Sequence, residues 1–102
     1  MSEKVYTIEE IKKILAELLK DKPVYQVILF GSYAKKQANK KSDIDLIIDT
    51  KGTLRGLSFL EIIDDMEDAF DKNVDGFEEY ELIKGSKIDD EINKTGVVVY
   101  EK

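Results

Sequence analysis

The sequence contains no cysteine and no histidine, and it has a single proline. Without cysteine there can be no disulfide framework, no thiolate nucleophile and no cysteine-ligated zinc site. Without histidine, the commonest acid–base group and metal ligand of proteins is missing as well. Any chemistry must therefore use carboxylates, hydroxyls and lysines, and the oxygen ligands among these groups favour magnesium, calcium or manganese.

Basic charge and long apolar segments are also scarce. The formal net charge is −6 and the isoelectric point is near 4.7, which argues against general nucleic-acid binding. No segment approaches the length of a membrane span, and the N-terminal residues lack the apolar core of a signal peptide. We therefore expect a cytoplasmic protein that does not associate with membranes. One cluster of lysines either steers a triphosphate or forms an exposed, solvated face: Lys35, Lys36, Lys40 and Lys41.

The composition is that of a folded domain. Of the 102 residues, 42% are hydrophobic and 37% are charged. A chain of this length builds one hydrophobic core but has no room for a separate substrate domain, so we expect residues 1–102 to form a single domain. Any second substrate must then meet an exposed surface or come with a partner.

Hydrophobic periodicity predicts an α/β (α+β) fold with a small mixed sheet of three to four strands and helices packed on it. The predicted helices cover about residues 8–20, 32–37, 58–71 and 86–96, and the predicted strands cover 24–30, 44–48, 73 or 74 to 82 or 83, and 97–100. The predicted N-caps are Thr7, Ser32, Ser58 and Ser86, and Glu10 and Glu61 complete two capping boxes.

Two polar signals stand at the ends of the first two predicted strands. Gly31-Ser32 follows the first strand, and Asp43-Ile44-Asp45 opens the second after a spacer of ten residues. A glycine allows a phosphate to approach the backbone N–H groups closely, and Ser32 adds a hydroxyl at a helix start. Two aspartates that are two positions apart in a strand point to the same face, with Cα atoms about 6.6 Å apart. Their side chains can bracket a cation. Each signal alone is common, but their combination is rare.

Connection lengths predict a third acid at the same site. The spacer is about the bare minimum length for a parallel crossover, so the first two strands should be antiparallel. The segment from residue 50 to residue 72 has room for a full helix, so the second and third strands should be parallel. Parallel strands start at the same edge, which places Asp75 beside Asp43 and Asp45. Glu78 and Glu79 stay open as alternatives to Asp75.

Other acidic residues are expected to lie outside the site. Asp49 shares a face with Asp45 but stands about 13 Å along the strand, so it is not expected to be a ligand. Four acids of the long helix lie mostly off its apolar stripe and should form a solvated face: Asp64, Asp65, Glu67 and Asp68.

Gly31-Ser32, the ten-residue spacer and Asp43-Ile44-Asp45 together resemble the motif of the DNA polymerase beta nucleotidyltransferase superfamily. The short chain is similar to the minimal (MNT-type) branch, the antitoxin-like partners of HEPN-domain proteins. The likeness covers nearly the whole chain, including Val74-Asp75 after the long helix and a Gly-Val-Val-Val-Tyr ending at Tyr100.

The resemblance implies transfer of a nucleoside monophosphate from ATP or another nucleoside triphosphate to a hydroxyl of a partner protein. Asp43, Asp45 and Asp75 would be the catalytic residues and would hold two Mg²⁺ ions, or Mn²⁺ in their place. Asp75 would also accept the proton of the acceptor. Gly31 and Ser32 would bind the triphosphate. The implied partner is a small helical HEPN-like protein.

Two other functions are compatible with the residues. The small, acidic chain could neutralise a toxin-like partner by binding alone, or it could sense a metal or a nucleotide without turnover. One departure from the resembled family bears on this choice. Many of its members have a basic residue followed by glycine where this chain has Lys35-Lys36, so the fit of the nucleotide depends on how the backbone accommodates Lys36.

Overall fold

The computed structural model describes residues 4–102, and at Tyr80 it describes the backbone alone. The prediction that the N-terminal residues lack a signal-peptide pattern includes residues 1–3, which lie outside the described residues. The elements follow one another as α1 (Ile8–Leu19), β1 (Gln26–Phe30), α2 (Gly31–Ala34), β2 (Ile44–Asp49), α3 (Leu57–Phe70), β3 (Val74–Glu78), a 3-10 helix (Glu79–Glu81), α4 (Lys87–Thr95) and β4 (Val97–Glu101).

The four strands form one mixed sheet in the order β3-β2-β1-β4. Strands β1 and β2 are antiparallel, and β2 and β3 are parallel, as the connection lengths predicted. Strand β4 returns beside β1 in an antiparallel pairing that the sequence patterns did not predict. The predicted fold class, a small mixed sheet with packed helices, is confirmed.

Strand β2 is central and covered on both faces. Ile44, Leu46 and Ile48 have no exposed surface and belong to the main core. Ile47, which points to the opposite face, is only 2% exposed. A nearly continuous apolar run is typical of such a doubly covered strand, so the site residues at its start have a rigid base.

Helix α1 packs its apolar stripe on the sheet and on α3. Its buried residues Ile11, Leu15 and Leu19 recur at helical spacing, and each contributes about 1.5–3 kcal/mol by burial. The predicted capping box is present: Thr7 Oγ1 accepts from the Glu10 amide at 3.1 Å, and Glu10 accepts from the Thr7 amide at 2.9 Å. No helix within residues 4–102 has both the length and the apolar composition needed to cross a bilayer.

Two predicted serine caps are wrong because glycines begin those helices. Gly31 has φ +72° and is the first residue of α2, which leaves Ser32 inside the helix. Gly56, with φ +56°, is the N-cap of α3 and leaves Ser58 in the first turn. Glycine adopts positive φ without the strain that a Cβ causes, so it turns the chain directly into the helix. At α4 the prediction is confirmed, since Ser86 Oγ accepts from the Asp89 amide at 3.2 Å.

Candidate active site

Asp45 and Asp75 stand side by side at the start of two parallel strands. The register of β2 and β3 pairs Asp45 with Asp75, and the Ile44 amide donates to the Asn73 carbonyl at 3.1 Å just before them. Adjacent strands are about 4.8 Å apart, and neighbours in a parallel register point to the same face. The juxtaposition predicted from the connection lengths is therefore observed, while the chemical roles of these residues stay predictions.

Packing at Gly76 fixes the face that Asp75 presents. A Cβ on Gly76 would overlap the Cδ1 atom of Ile63, so this position faces α3 and Asp75 faces the other way. Glu78 shares the α3 side of β3 and is only 4% exposed. Glu79 lies beyond the strand, in the 3-10 helix. Neither of the two alternative acids belongs to the edge where Asp75 stands.

Gly31 lies directly against Asp45. The antiparallel register places Phe30 opposite Asp45, and the buried Gly31 follows at the strand end. A Cβ on Gly31 would overlap the Oδ2 atom of Asp45. Only glycine leaves room for this contact, and the half-buried Ser32 is the next residue along α2. The two halves of the sequence motif thus meet in one place.

The acidic groups at this edge act on one another. The pKa of Asp45 is raised from 3.8 to about 6, first by partial burial, then by the charge of Asp75 and a hydrogen bond with it, and further by Asp43 and Glu91. Asp43 is exposed, two residues before Asp45. Burial disfavours the charged form of Asp45, and the negative charges of the neighbouring carboxylates act in the same direction. The site is therefore suited to a cation.

The donor set fits a magnesium or manganese ion, since it consists of hard carboxylate oxygens with surplus negative charge. In the conformation described, no three acidic side chains within residues 4–102 surround one point closely enough to form a metal site by themselves. Asp43 and Asp75 are exposed, so their side chains have room to turn toward a bound ion.

Asparagine in place of Asp45 should stabilise the protein at neutral pH. Between about pH 4 and pH 6 the folded state keeps a proton on Asp45 that the unfolded chain has lost, so stability falls as the pH rises through this window. Asp45→Asn should therefore raise the free energy of unfolding at pH 7.5 by about 1 kcal/mol, because solvent screens much of the charge of a half-exposed group. The gain should shrink toward pH 4. Urea unfolding of both proteins from pH 4 to pH 7.5 measures it.

Asp49→Asn is the matched control for this stability measurement. Asp49 points to the same face at the far end of β2, where its Oδ1 accepts from the Lys51 amide at 2.9 Å. Asparagine can keep that hydrogen bond, so no gain at neutral pH is expected. A destabilised Asp45→Asn protein at pH 7.5 would contradict the account of surplus negative charge.

The turn that follows α2 explains why glycine would be favoured at position 36. The Gln37 amide donates to the Ser32 carbonyl at 2.9 Å, and the Lys36 amide donates to the Tyr33 carbonyl at 3.2 Å. These two bonds form a Schellman motif that ends the helix. Lys36 occupies its left-handed position with φ +59°. The turn is thus retained in this chain, with a strained lysine where glycine is the usual residue.

Lys36→Gly should therefore stabilise the protein. A residue with a Cβ costs about 1–2 kcal/mol in the left-handed conformation, and the greater freedom of glycine in the unfolded chain offsets part of this. We expect a gain of about 0.5–1 kcal/mol, measured by urea unfolding. Lys35→Gly is the matched control, because Lys35 has φ −82° and a glycine there should lower stability. A loss of stability in Lys36→Gly would show that the left-handed position is not strained by the lysine.

The spacer is held in place by polar contacts. The Lys41 amide donates to Asn39 Oδ1 at 2.8 Å, and the Asn39 amide donates to Ser42 Oγ at 2.9 Å. Lys72, which is only 3% exposed, donates from Nζ to the Lys40 carbonyl at 3.0 Å. The first two bonds hold the turn of the spacer itself, and the third fastens the spacer to the segment between α3 and β3, just before the first aspartate of the motif.

Glu67 has a positioning contact that the sequence patterns did not reveal. Its Oε2 accepts from the Val74 amide at 2.9 Å, so the end of α3 is tied to the residue before Asp75. The prediction of a solvated face is wrong for Glu67. Asp64 and Asp68 are exposed as predicted, and Asp65 is partly buried. Its place three residues before the buried Phe70, at the edge of the apolar stripe, was the signal for this contact.

Glu91 of α4 is a further site neighbour that sequence patterns did not identify. Its Oε1 lies 3.3 Å from the Nζ of Lys35, and its charge adds to the field at Asp45. The contact depends on α4 packing against β1 and on β4 returning beside β1, neither of which was predicted from the sequence.

Comparisons with known proteins show which family and fold this chain shares. MJ0128 of Methanocaldococcus jannaschii, provisionally named a protein adenylyltransferase, is 40% identical over 73 residues, which cover 68% of this chain and 74% of that protein. A crystal structure of a toxin–antitoxin with AMP-PNP has a TM-score of 0.71 at 22% identity, covering 89% of this chain and 73% of that chain.

A second solved structure has the same fold. It is the complex of a tri-AMPylated Shewanella oneidensis HEPN toxin with an MNT antitoxin, with a TM-score of 0.66 at 20% identity, covering 94% of this chain and 74% of that chain. The family model described as "Polymerase beta, Nucleotidyltransferase" matches residues 9–102. This chain belongs to the polymerase beta nucleotidyltransferase family.

Proposed function

We propose that this protein transfers AMP from ATP to a hydroxyl group of a partner protein in a magnesium-dependent reaction. The observation that carries the proposal is the contact of a Cβ-free Gly31 with Asp45, while Asp75 stands beside Asp45 in the next strand. This arrangement supports the proposal because a loop suited to a phosphate lies next to an edge suited to a cation.

Names of similar proteins support both the nucleotide and the acceptor. The relative at 40% identity is provisionally named a protein adenylyltransferase. The structures with the same fold are a toxin–antitoxin with AMP-PNP and an MNT antitoxin with an AMPylated HEPN toxin. The proposed partner is therefore a small helical HEPN-like protein, and the chain acts as its antitoxin. A cytoplasmic location stays a prediction.

Each site residue has a defined task in this proposal. Asp43, Asp45 and Asp75 would hold two Mg²⁺ ions, which would supply positive charge to stabilise the transferring phosphate. Gly31 and Ser32 bind the triphosphate through backbone N–H groups and a hydroxyl. The acceptor oxygen forms a bond to the α-phosphorus. The bond between the α-phosphorus and the oxygen that bridges to the β-phosphorus breaks, and pyrophosphate leaves.

The exposed side of the site suits a bulky acceptor. Asp43 and Asp75 are both exposed, so the acceptor hydroxyl of another protein can reach them. Asp75 is the proposed base that takes the hydroxyl proton, since its carboxylate stands at the outer strand of the sheet.

The test is transfer of label from ATP that carries a radioactive α-phosphate. The full chain, Mg²⁺ and the partner that co-purifies with it should give a labelled partner with a mass increase of one AMP on a hydroxyl side chain. The Asp43→Ala, Asp45→Ala double variant should give no label. Equal labelling by both proteins would overturn the proposal. No label from either protein, with full neutralisation of the partner in cells by the double variant, would favour binding without catalysis.

A further inference from the structure

Lys35 and Glu91 form an ion pair between two elements beside the site. The Nζ and Oε1 atoms are 3.3 Å apart, and the two side chains are 35% and 43% exposed. Lys35 follows α2, and its amide donates to the Gly31 carbonyl at 3.1 Å. Glu91 lies in the middle of α4. The pair therefore joins the proposed phosphate-binding loop to a helix that is distant in sequence.

The position of Lys35 decides between the two interpretations of the lysine cluster for this residue. Lys35 is one helical turn from Gly31, so its flexible side chain is close enough to turn toward the loop on which the triphosphate would lie. A lysine whose only role is solvation would not need to lie beside this loop. All four lysines of the cluster are exposed, and Lys35 differs from the others by its ion pair with Glu91 beside the site.

Glu91 opposes a triphosphate in two ways. Glu91 forms an ion pair with the Lys35 ammonium group, which would otherwise pair with a phosphate. It also adds a negative charge to an edge that already has Asp43, Asp45 and Asp75. A triphosphate carries more charge than one carboxylate and offers several acceptor oxygens to the lysine. Binding of the nucleotide should therefore separate Lys35 from Glu91.

We propose that Glu91 is an internal competitor of the triphosphate, which holds Lys35 in the nucleotide-free protein and lowers the affinity for ATP in the absence of divalent cations. The inference rests on the proposed function, because it assumes that the Gly31-Ser32 loop binds a triphosphate. Glu91 is thus a specificity-determining residue that favours the metal-bound nucleotide over the free one.

The test measures ATP affinity with and without metal. Binding of ATP to the full chain is followed by calorimetry in EDTA and in Mg²⁺, for the original protein and for Glu91→Gln, which preserves size. Glu91→Gln should bind ATP about fivefold more tightly in EDTA, with a smaller gain in Mg²⁺ because the ions offset the carboxylate charge. Asp90→Asn removes one exposed charge from the same helix and should leave the affinity nearly unchanged.

Two further variants show whether the effect acts through Lys35. Lys35→Met should weaken ATP binding, and Glu91→Gln should gain much less affinity when Lys35→Met is present. Unchanged or weaker binding by Glu91→Gln would overturn the inference, as would an equal gain in Asp90→Asn. Failure of the original protein to bind ATP in either buffer would overturn the proposed function and this inference together. If the protein binds ATP but Glu91→Gln does not change the affinity, only the inference is overturned and the proposed function stands.

Discussion

Asp45→Asn should lower the rate of AMP transfer by on the order of 10³-fold while the protein remains at least as stable at pH 7.5. Asp45 is the residue on which the site converges, because Gly31 touches it, Asp75 stands beside it, and the charges of Asp43 and Glu91 reach it. An amide keeps the size of the side chain but removes the negative charge that the proposed cation site requires. The rate is measured as labelled partner formed at saturating ATP and Mg²⁺.

The combination of lower activity and retained stability separates a chemical role from a structural one. A residue that only supports the fold would lose stability and activity together. Asp49→Asn changes a carboxylate on the same strand and face, about 13 Å away, and should keep nearly full activity. If Asp45→Asn kept more than a tenth of the original rate, Asp45 could not be a ligand of the catalytic ions.

The sequence was sufficient to place Asp75 because connection length restricts strand direction. A ten-residue spacer is at the lower limit of length for a parallel crossover, whereas the long helix between β2 and β3 permits one. The observed antiparallel pairing of β1 with β2 and parallel pairing of β2 with β3 agree with those two limits, while the residue registers depend on packing. Topology of this kind depends on chain length and apolar periodicity, which a single sequence carries.

Contacts that depend on side-chain packing could not be obtained in this way. The serine caps at Ser32 and Ser58 follow a local pattern, and it was overridden by positive-φ glycines one and two residues earlier. Likewise, β3 ends at Glu78 because a 3-10 helix begins there, although the predicted strand continued to residue 82 or 83. Glu91 reaches the site through the packing of α4 against β1, which local sequence does not encode.

Gly31→Ala should destabilise the protein by about 2–5 kcal/mol and abolish AMP transfer. An alanine at φ +72° costs about 1–2 kcal/mol, and an overpacked contact adds about 1–3 kcal/mol. The added methyl group would overlap the Asp45 carboxylate, so the side chain must turn away from its place beside Asp75. The change therefore acts on the fold and on the cation-binding edge at once. Urea unfolding and the transfer assay measure the two effects.

A second glycine and a double variant separate backbone strain from the overlap. Gly85 has φ +84°, and a Cβ added there would meet no atom within 4 Å, so Gly85→Ala should cost only about 1 kcal/mol and keep the activity. Asp45→Ala removes the carboxylate that the new methyl group would strike, so Gly31→Ala should cost less stability when it is combined with Asp45→Ala. If the cost of Gly31→Ala were the same in both backgrounds, the close approach of the loop to Asp45 would not be the reason that glycine is required, and the site would have to be built differently.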